Sequence, residues 1–184
     1  MRIERKNGIR QTIIDTAGRL FYQQGYVNTG INQILEESGV VKSSLYVTFR
    51  SKEEILMEYL VSAGARTDKA LYDAAHQYTD PKEQVLAVFD YLLKIVQEND
   101  YYGCSFLNII SEVPQGPERV VNQIRMQKNG VRKLFSTLLA PIGKEGLADQ
   151  IYILFDGALI TNKVHGETWP VLSARKTVER LLND

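Results

Sequence analysis

Gly25-Tyr26-Val27-Asn28-Thr29-Gly30-Ile31-Asn32-Gln33-Ile34-Leu35-Glu36-Glu37-Ser38-Gly39-Val40-Val41-Lys42-Ser43-Ser44-Leu45-Tyr46-Val47-Thr48-Phe49-Arg50-Ser51-Lys52 is the stretch on which the fold turns. Two short apolar-periodic pieces lie in it, one marked by Ile31, Ile34 and Leu35 and the other by Leu45 and Phe49. Gly39 stands between them, where a tight helix-to-helix turn needs a small residue. With Val40, the apolar positions form a mini-core that sets the angle between two helices, the pattern of a helix-turn-helix. The second helix then turns Lys42, Ser43, Ser44, Tyr46 and Thr48 outward. Small polar and basic side chains of this kind enter a major groove without steric block, and no acid stands between Ser38 and Lys52 to repel phosphates.

Upstream, Ile9, Ile13, Ala17, Leu20 and Phe21 mark one face of a first helix that Gly25 is placed to end. Downstream, Ser51-Lys52-Glu53-Glu54 reads as a capping box. The serine hydroxyl accepts from the N–H of residue 54, and Glu54 reaches back to the N–H of residue 51. A long helix is predicted from there to about Tyr78. Asp80-Pro81-Lys82-Glu83 opens another as cap, first-position proline and third-position acid, with an end near Asn99. A short helix follows Gly103 and ends before Pro114. Pro117 opens a longer one, broken by Pro141 and Gly143, with Asn129-Gly130 as a weak spot inside it. The last two run from Leu147 to about His165 and from Val171 to Leu182, with Trp169 expected to plug the turn before Pro170. No sustained period-2 alternation argues for strands. The fold class is all-α, with about nine helices.

The residues Ala17-x-x-Leu20-Phe21-x-x-x-Gly25-Tyr26-x-x-Thr29, then Ile34, Gly39-Val40, Leu45-Tyr46, Phe49 and Ser51-Lys52-Glu53, resemble the DNA-binding head of the TetR (tetracycline-repressor) family. The resemblance covers about a quarter of the chain. It implies a three-helix head over residues 1–51 and a helical ligand-binding and dimerisation bundle over 52–184. By position it assigns phosphate contacts to Thr29, Tyr46 and Lys52 and places Lys42, Ser43, Ser44 and Thr48 toward the groove. Three departures bear on the operator: Gly30 stands where a second hydroxyl is common, Val41 where a serine usually caps the recognition helix, and Ser43 where glycine is frequent. The implied function is that of a homodimeric, ligand-responsive transcription regulator, most simply a repressor released from a pseudo-palindromic operator by a small-molecule inducer. A helical ligand-binding or interaction protein without specific DNA binding is the alternative.

The resemblance also implies an inducer pocket in the bundle. Tyr59, Phe89, Tyr91, Tyr101, Tyr102, Phe106 and Met126 are candidate walls, although each is equally suited to a core. Ten tyrosines in 184 residues suggest a flat or aromatic apolar ligand, since a phenol offers both a face and a hydrogen bond. Gly103-Cys104-x-x-x-Asn108-x-x-x-Glu112 resembles a segment of one subset of the family. Cys104 there is either a sensor of oxidants or electrophiles or a small hydrophobe. Asn108 and Glu112, at helical spacing from it, either bond a ligand or tie helices together. In the family the last two helices pair with the partner's copies, and Gly157 and Ala158 would permit close approach.

The charges balance, 22 Lys+Arg against 22 Asp+Glu, but unevenly along the chain. Residues 1–52 hold eight basic and four acidic side chains, and 53–184 hold 14 and 18. The basic ones cluster in an N-terminal arm (Arg2, Arg5, Lys6, Arg10) and around the second short helix (Lys42, Arg50, Lys52), so the head attracts DNA and the body repels it. Enzyme chemistry is not expected: His76 and His165 stand in no ligand spacing, and neither a phosphate-binding glycine loop nor a nucleophile elbow occurs. No metal or cofactor is expected. With one cysteine, no leader-like apolar run at the N-terminus and no bilayer-length segment, a cytoplasmic location is expected.

Overall fold

The structure, a computed structural model, describes residues 2–113 and 115–183, with side chains from residue 7 onward. The arm side chains Arg2, Arg5 and Lys6, and the helix-ending Pro114, lie outside the described residues. Among the described residues there are nine α-helices and no strand: α1 Arg2–Gln24, α2 Ile31–Ser38, α3 Lys42–Thr48, α4 Lys52–Ala75, α5 Pro81–Ile95, α6 Ser105–Glu112, α7 Glu118–Leu139, α8 Ala148–His165 and α9 Trp169–Asn183. Two short 3₁₀ turns, Ala140–Ile142 and Glu145–Leu147, sit where Pro141 and Gly143 were expected to interrupt the chain. Gly130 is carried inside α7, as expected.

Two compact units form, one from Met1–Ala63 with Ser105–Ile124, the other from Gly64–Cys104 with Arg125–Asp184. In the first, α1 packs against α2 and α3. Ile13, Ala17 and Phe21 of α1, Ile34 of α2, Leu45 of α3 and Phe49 are all buried, whereas Ile31, Leu35 and Val40 of the expected mini-core are half-buried at its edge. Leu56 and Leu60 of α4 and Phe106 and Ile109 of α6 are buried in the same unit. In the second, α9 packs on both α5 and α8. Its centre holds an aromatic trio: Phe89, Phe135 and Phe155 have ring centroids 5.7–6.1 Å apart.

Capping chemistry sets several ends. Asp80 accepts from the N–H groups of Lys82 and Glu83 at 2.8 and 3.1 Å, with Pro81 in the first turn. Pro117 lends its carbonyl to the N–H groups of Val120 and Val121 and so starts α7. Three expected ends move. α4 stops at Ala75 because the Tyr78 N–H turns back to the Ala75 carbonyl. α5 stops at Ile95, short of Asn99, in successive tight turns. Trp169 does not plug a turn but opens α9, half exposed and edge-on to His165 at 5.2 Å. Pro170 is tolerated there because a first-turn N–H has no helical partner to lose.

Candidate nucleic-acid interface

Gly39 makes the turn between α2 and α3 at φ 65°, ψ 11°, and the Ser38 hydroxyl accepts from the Val40 N–H. Val41 takes the extended N-cap conformation but offers no side-chain acceptor, so α3 starts without a side-chain cap. Leu45 faces inward, whereas Lys42, Ser43, Tyr46 and Val47 are exposed at helical spacing and form the outward face of α3. Ser44 and Thr48 are half-buried, and the Thr48 hydroxyl donates to the Ser44 carbonyl at 2.7 Å. Val47, at 76 % exposure, joins this face although spacing alone did not single it out. Its apolar character in a polar setting is the signal that could have found it.

Thr29 does not stand open to solvent as a phosphate ligand would, and Lys52 is half-buried. Thr29 is fully buried; its hydroxyl donates to the Gly25 carbonyl at 2.7 Å and accepts from Gln24 Nε2. Lys52 Nζ donates to the carbonyls of Tyr26 and Thr29, both at 2.9 Å, and lies 4.2 Å over the Tyr26 ring. Burial pulls its pKa below the ordinary lysine value, and the charge of Glu112 pushes back. Both residues therefore build the loop between α1 and α2. A spacing pattern places them beside the motif but cannot show that neighbouring carbonyls already occupy their polar atoms.

The capping box forms with one shift. The Ser51 hydroxyl accepts from the Glu54 N–H at 3.2 Å as expected, but Glu54 Oε2 reaches the N–H of Arg50, at 2.7 Å, instead of that of residue 51. Ion pairs tie the unit further: Arg19 to Glu37, Arg10 to Glu58 at 2.7 Å and Arg119 to Glu53 at 2.6 Å. Arg19 and Gln33 hold the Glu37 carboxyl below the usual carboxylate range.

Residues 13–59, which carry this geometry, match the family model for bacterial regulatory proteins of the tetR family. Over these residues the chain is similar to the DNA-binding heads of the TetR family. It is 40 % identical over 77 residues to an uncharacterized HTH-type transcriptional regulator, YxaF, of Bacillus subtilis, a match that covers 41 % of this chain and 40 % of that protein. The matched stretch thus spans about two-fifths of the length of such curated relatives. To the HTH-type transcriptional repressor NemR of Escherichia coli it is 24 % identical, covering 94 % of this chain and 93 % of NemR. A TetR-family transcriptional regulator from Streptomyces coelicolor superposes with a TM-score of 0.86 at 23 % identity, covering 96 % of this chain and 90 % of that one, which shows the shared fold.

Behind this TetR-like head, the expected pocket residues divide between the two units. Tyr59, Phe106 and Asn108 are buried in the first, where the Tyr59 hydroxyl hydrogen-bonds Ser105 Oγ at 2.8 Å and its ring packs edge-on against Phe21. Phe89, Tyr91, Tyr102, Cys104 and Met126 belong to the second. Phe89 is core rather than wall, enclosed by Phe135 and Phe155. Met126 is 62 % exposed on α7, because its helix face turns outward, and Tyr102 is also exposed. Tyr91 is half-buried, and burial raises its pKa.

Cys104 is half-buried beside Lys128, whose Nζ stands 3.5 Å from the sulfur and 2.8 Å from Asp156 Oδ1. Burial, with Asp156 hydrogen-bonded to it, pushes the Tyr152 phenol well above its ordinary value. Cys104, Lys128, Tyr152 and Asp156 thus form one polar cluster in the second unit. Of these only Cys104 was singled out by spacing. A separate open groove of about 430 Å³, lined by residues such as Asn129, Arg132, Ser136 and Asp149, contains none of the expected pocket residues. Among the described residues no group of three or more His, Cys, Asp or Glu could hold a metal, and no helix is long and apolar enough to cross a membrane.

Proposed function

We propose that this chain is a homodimeric, ligand-responsive repressor of the TetR family that binds a pseudo-palindromic operator through α3. The observation that carries this reading is the outward face of α3: Lys42, Ser43, Tyr46 and Val47 are exposed together on a helix held by a buried mini-core, with no acid among them. Lys42 and Tyr46 contact phosphates, Ser43 and Ser44 reach base edges, and Val47 meets a thymine methyl. Thr48 spends its hydroxyl on the Ser44 carbonyl within α3, and Thr29 and Lys52 shape the α1–α2 loop. Residues 1–51 act as the DNA-binding head and 52–184 as the ligand-binding and dimerisation part.

The partner subunit covers an apolar face on the last two helices. Ile153, Ile160 and Val164 lie on one side of α8, exposed by 67, 42 and 76 %, and Trp169 and Leu172 of α9 are also exposed. Gly157 lies between them with open space where a Cβ would stand. Such a run on a globular chain is an interface signature, and two-fold pairing sets two recognition helices roughly 34 Å apart, one turn of DNA. The inducer binds in the bundle near the Cys104–Lys128–Tyr152–Asp156 cluster, in the cytoplasm, and favours a state with lower DNA affinity.

A gel shift with the DNA immediately upstream of the protein's own gene tests the reading. Retarded mobility, lost on a scrambled duplex of equal length, is expected. Equal mobility with both would support a ligand-binding or interaction protein instead.

A further inference from the structure

Glu112, the last residue of α6, lies outside the helix-turn-helix yet grips its loop. Its Oε2 accepts from the Val27 N–H at 2.8 Å, across 85 residues of sequence. A Cβ on Gly25 would stand 2.9 Å from Glu112 Oε1 and 3.0 Å from Oε2, so a side chain there would push the carboxylate from its present place, and Gly25 also sits at φ +96°. The same carboxylate faces Lys52, whose ammonium closes the loop from the other side through Tyr26 and Thr29. An acid at the last position of a helix opposes the helix dipole. α6 carries that unfavourable charge where the carboxylate hydrogen-bonds the head loop. The other end of α6 is held to α4 by the Ser105–Tyr59 bond.

We propose that Glu112 is a positioning residue for DNA binding: it latches the α1–α2 loop, so the set of α2 and α3 depends on where α6 lies. The proposal rests on the DNA-binding reading and adds a positioning residue to it. Displacement of Glu112 withdraws the Val27 acceptor and the counter-charge to Lys52 together. The loop then loosens, and DNA affinity falls without any change in the groove-facing side chains.

Two measurements on the full chain test this. Amide exchange of the wild type comes first. Val27 is 58 % exposed in a loop, so exchange of its N–H well below the intrinsic rate is expected only if the latch holds. Exchange at the intrinsic rate would overturn the proposal. Second, Glu112→Ala and Glu112→Gln are compared by fluorescence anisotropy on a duplex selected by the wild type from random sequence. Glu112→Ala is expected to weaken binding about tenfold with an unchanged salt slope and to lose protection at Val27 but not at Ile13 or Leu56. Glu112→Gln, which keeps an oxygen acceptor, is expected to recover part of both. Affinity within twofold of wild type for Glu112→Ala would overturn the proposal. If Glu112→Ala lost protection at Ile13 and Leu56 as well, the wild-type Val27 exchange would decide. If the wild type selected no duplex, the DNA-binding reading would fail while Val27 exchange still tested the latch.

Discussion

Lys52 Nζ lies 4.2 Å over the ring of Tyr26 and donates to that residue's carbonyl at 2.9 Å, so a cation at the start of α4 closes the loop that leads into α2. Removing it leaves two carbonyls without their donor, which costs about 1–3 kcal/mol where such groups are buried. Lys52→Ala is expected to lower the melting temperature and weaken operator binding, with the slope of log K against log salt preserved because no phosphate contact is lost. Anisotropy titrations at three salt concentrations check this. A slope reduced by about 0.9 for each Lys52 would return it to the phosphate-binding set.

Lys42 offers the contrast. It is exposed on α3, so Lys42→Ala should weaken specific and non-specific duplexes alike. The salt slope should fall by about 0.9 per phosphate contact, hence by nearly two for a dimer. An unchanged slope would place Lys42 away from the DNA backbone.

Val47 carries the prediction about sequence reading. Replacing the contacted thymine with deoxyuridine removes one methyl, worth about 0.8 kcal/mol or close to fourfold in affinity per half-site. The wild type should lose that factor at one position of the selected operator, and Val47→Ser should bind both duplexes equally. A wild type indifferent to uracil at every position would remove Val47 from base reading.

The dimer face is tested by charge. Ile153→Glu together with Val164→Glu should convert the chain to monomers in sedimentation velocity and weaken operator binding, since each half-site would then be bound alone. Survival of the dimer would place the interface elsewhere.

The Arg19–Glu37 pair, which links α1 to α2, sets a pH dependence. Hydrogen bonds from Arg19 and Gln33 depress the folded-state pKa of Glu37 below its unfolded value. The pair therefore contributes stability fully above about pH 4.3, the ordinary glutamate pKa, and loses it as pH falls through the depressed folded value. NMR titration should show Glu37 protonating at lower pH in the wild type than in Arg19→Ala. Coincident curves would contradict the pairing.

Much of the head was legible because its determinants are local. The Ile34–Leu45–Phe49 spacing, the tight turn at Gly39 and the cap at Ser51 each act within a few residues, as the Asp80 cap of α5 does outside the head, and each appears in the structure. The Glu112–Val27 bond was not legible, because 85 residues separate its partners and either carboxylate oxygen could serve many donors. Phe89 and Met126 show the same limit. Both sit at helical spacing among apolar neighbours, and only the packing of α5 against the bundle and the outward turn of α7 make one core and the other surface. Thr29 shows the limit at short range, since its match to a phosphate-binding position says nothing of the Gly25 carbonyl that its hydroxyl already satisfies.

The central claim, sequence-specific DNA binding through the exposed face of α3, is tested most directly by selecting duplexes from a random pool with the full chain and measuring their affinity. The account predicts enrichment of a pseudo-palindrome with half-sites about one helical turn apart, bound at least about a thousandfold more tightly than a scrambled duplex at physiological salt. Enrichment of no motif, or equal affinity for selected and scrambled DNA, would contradict it.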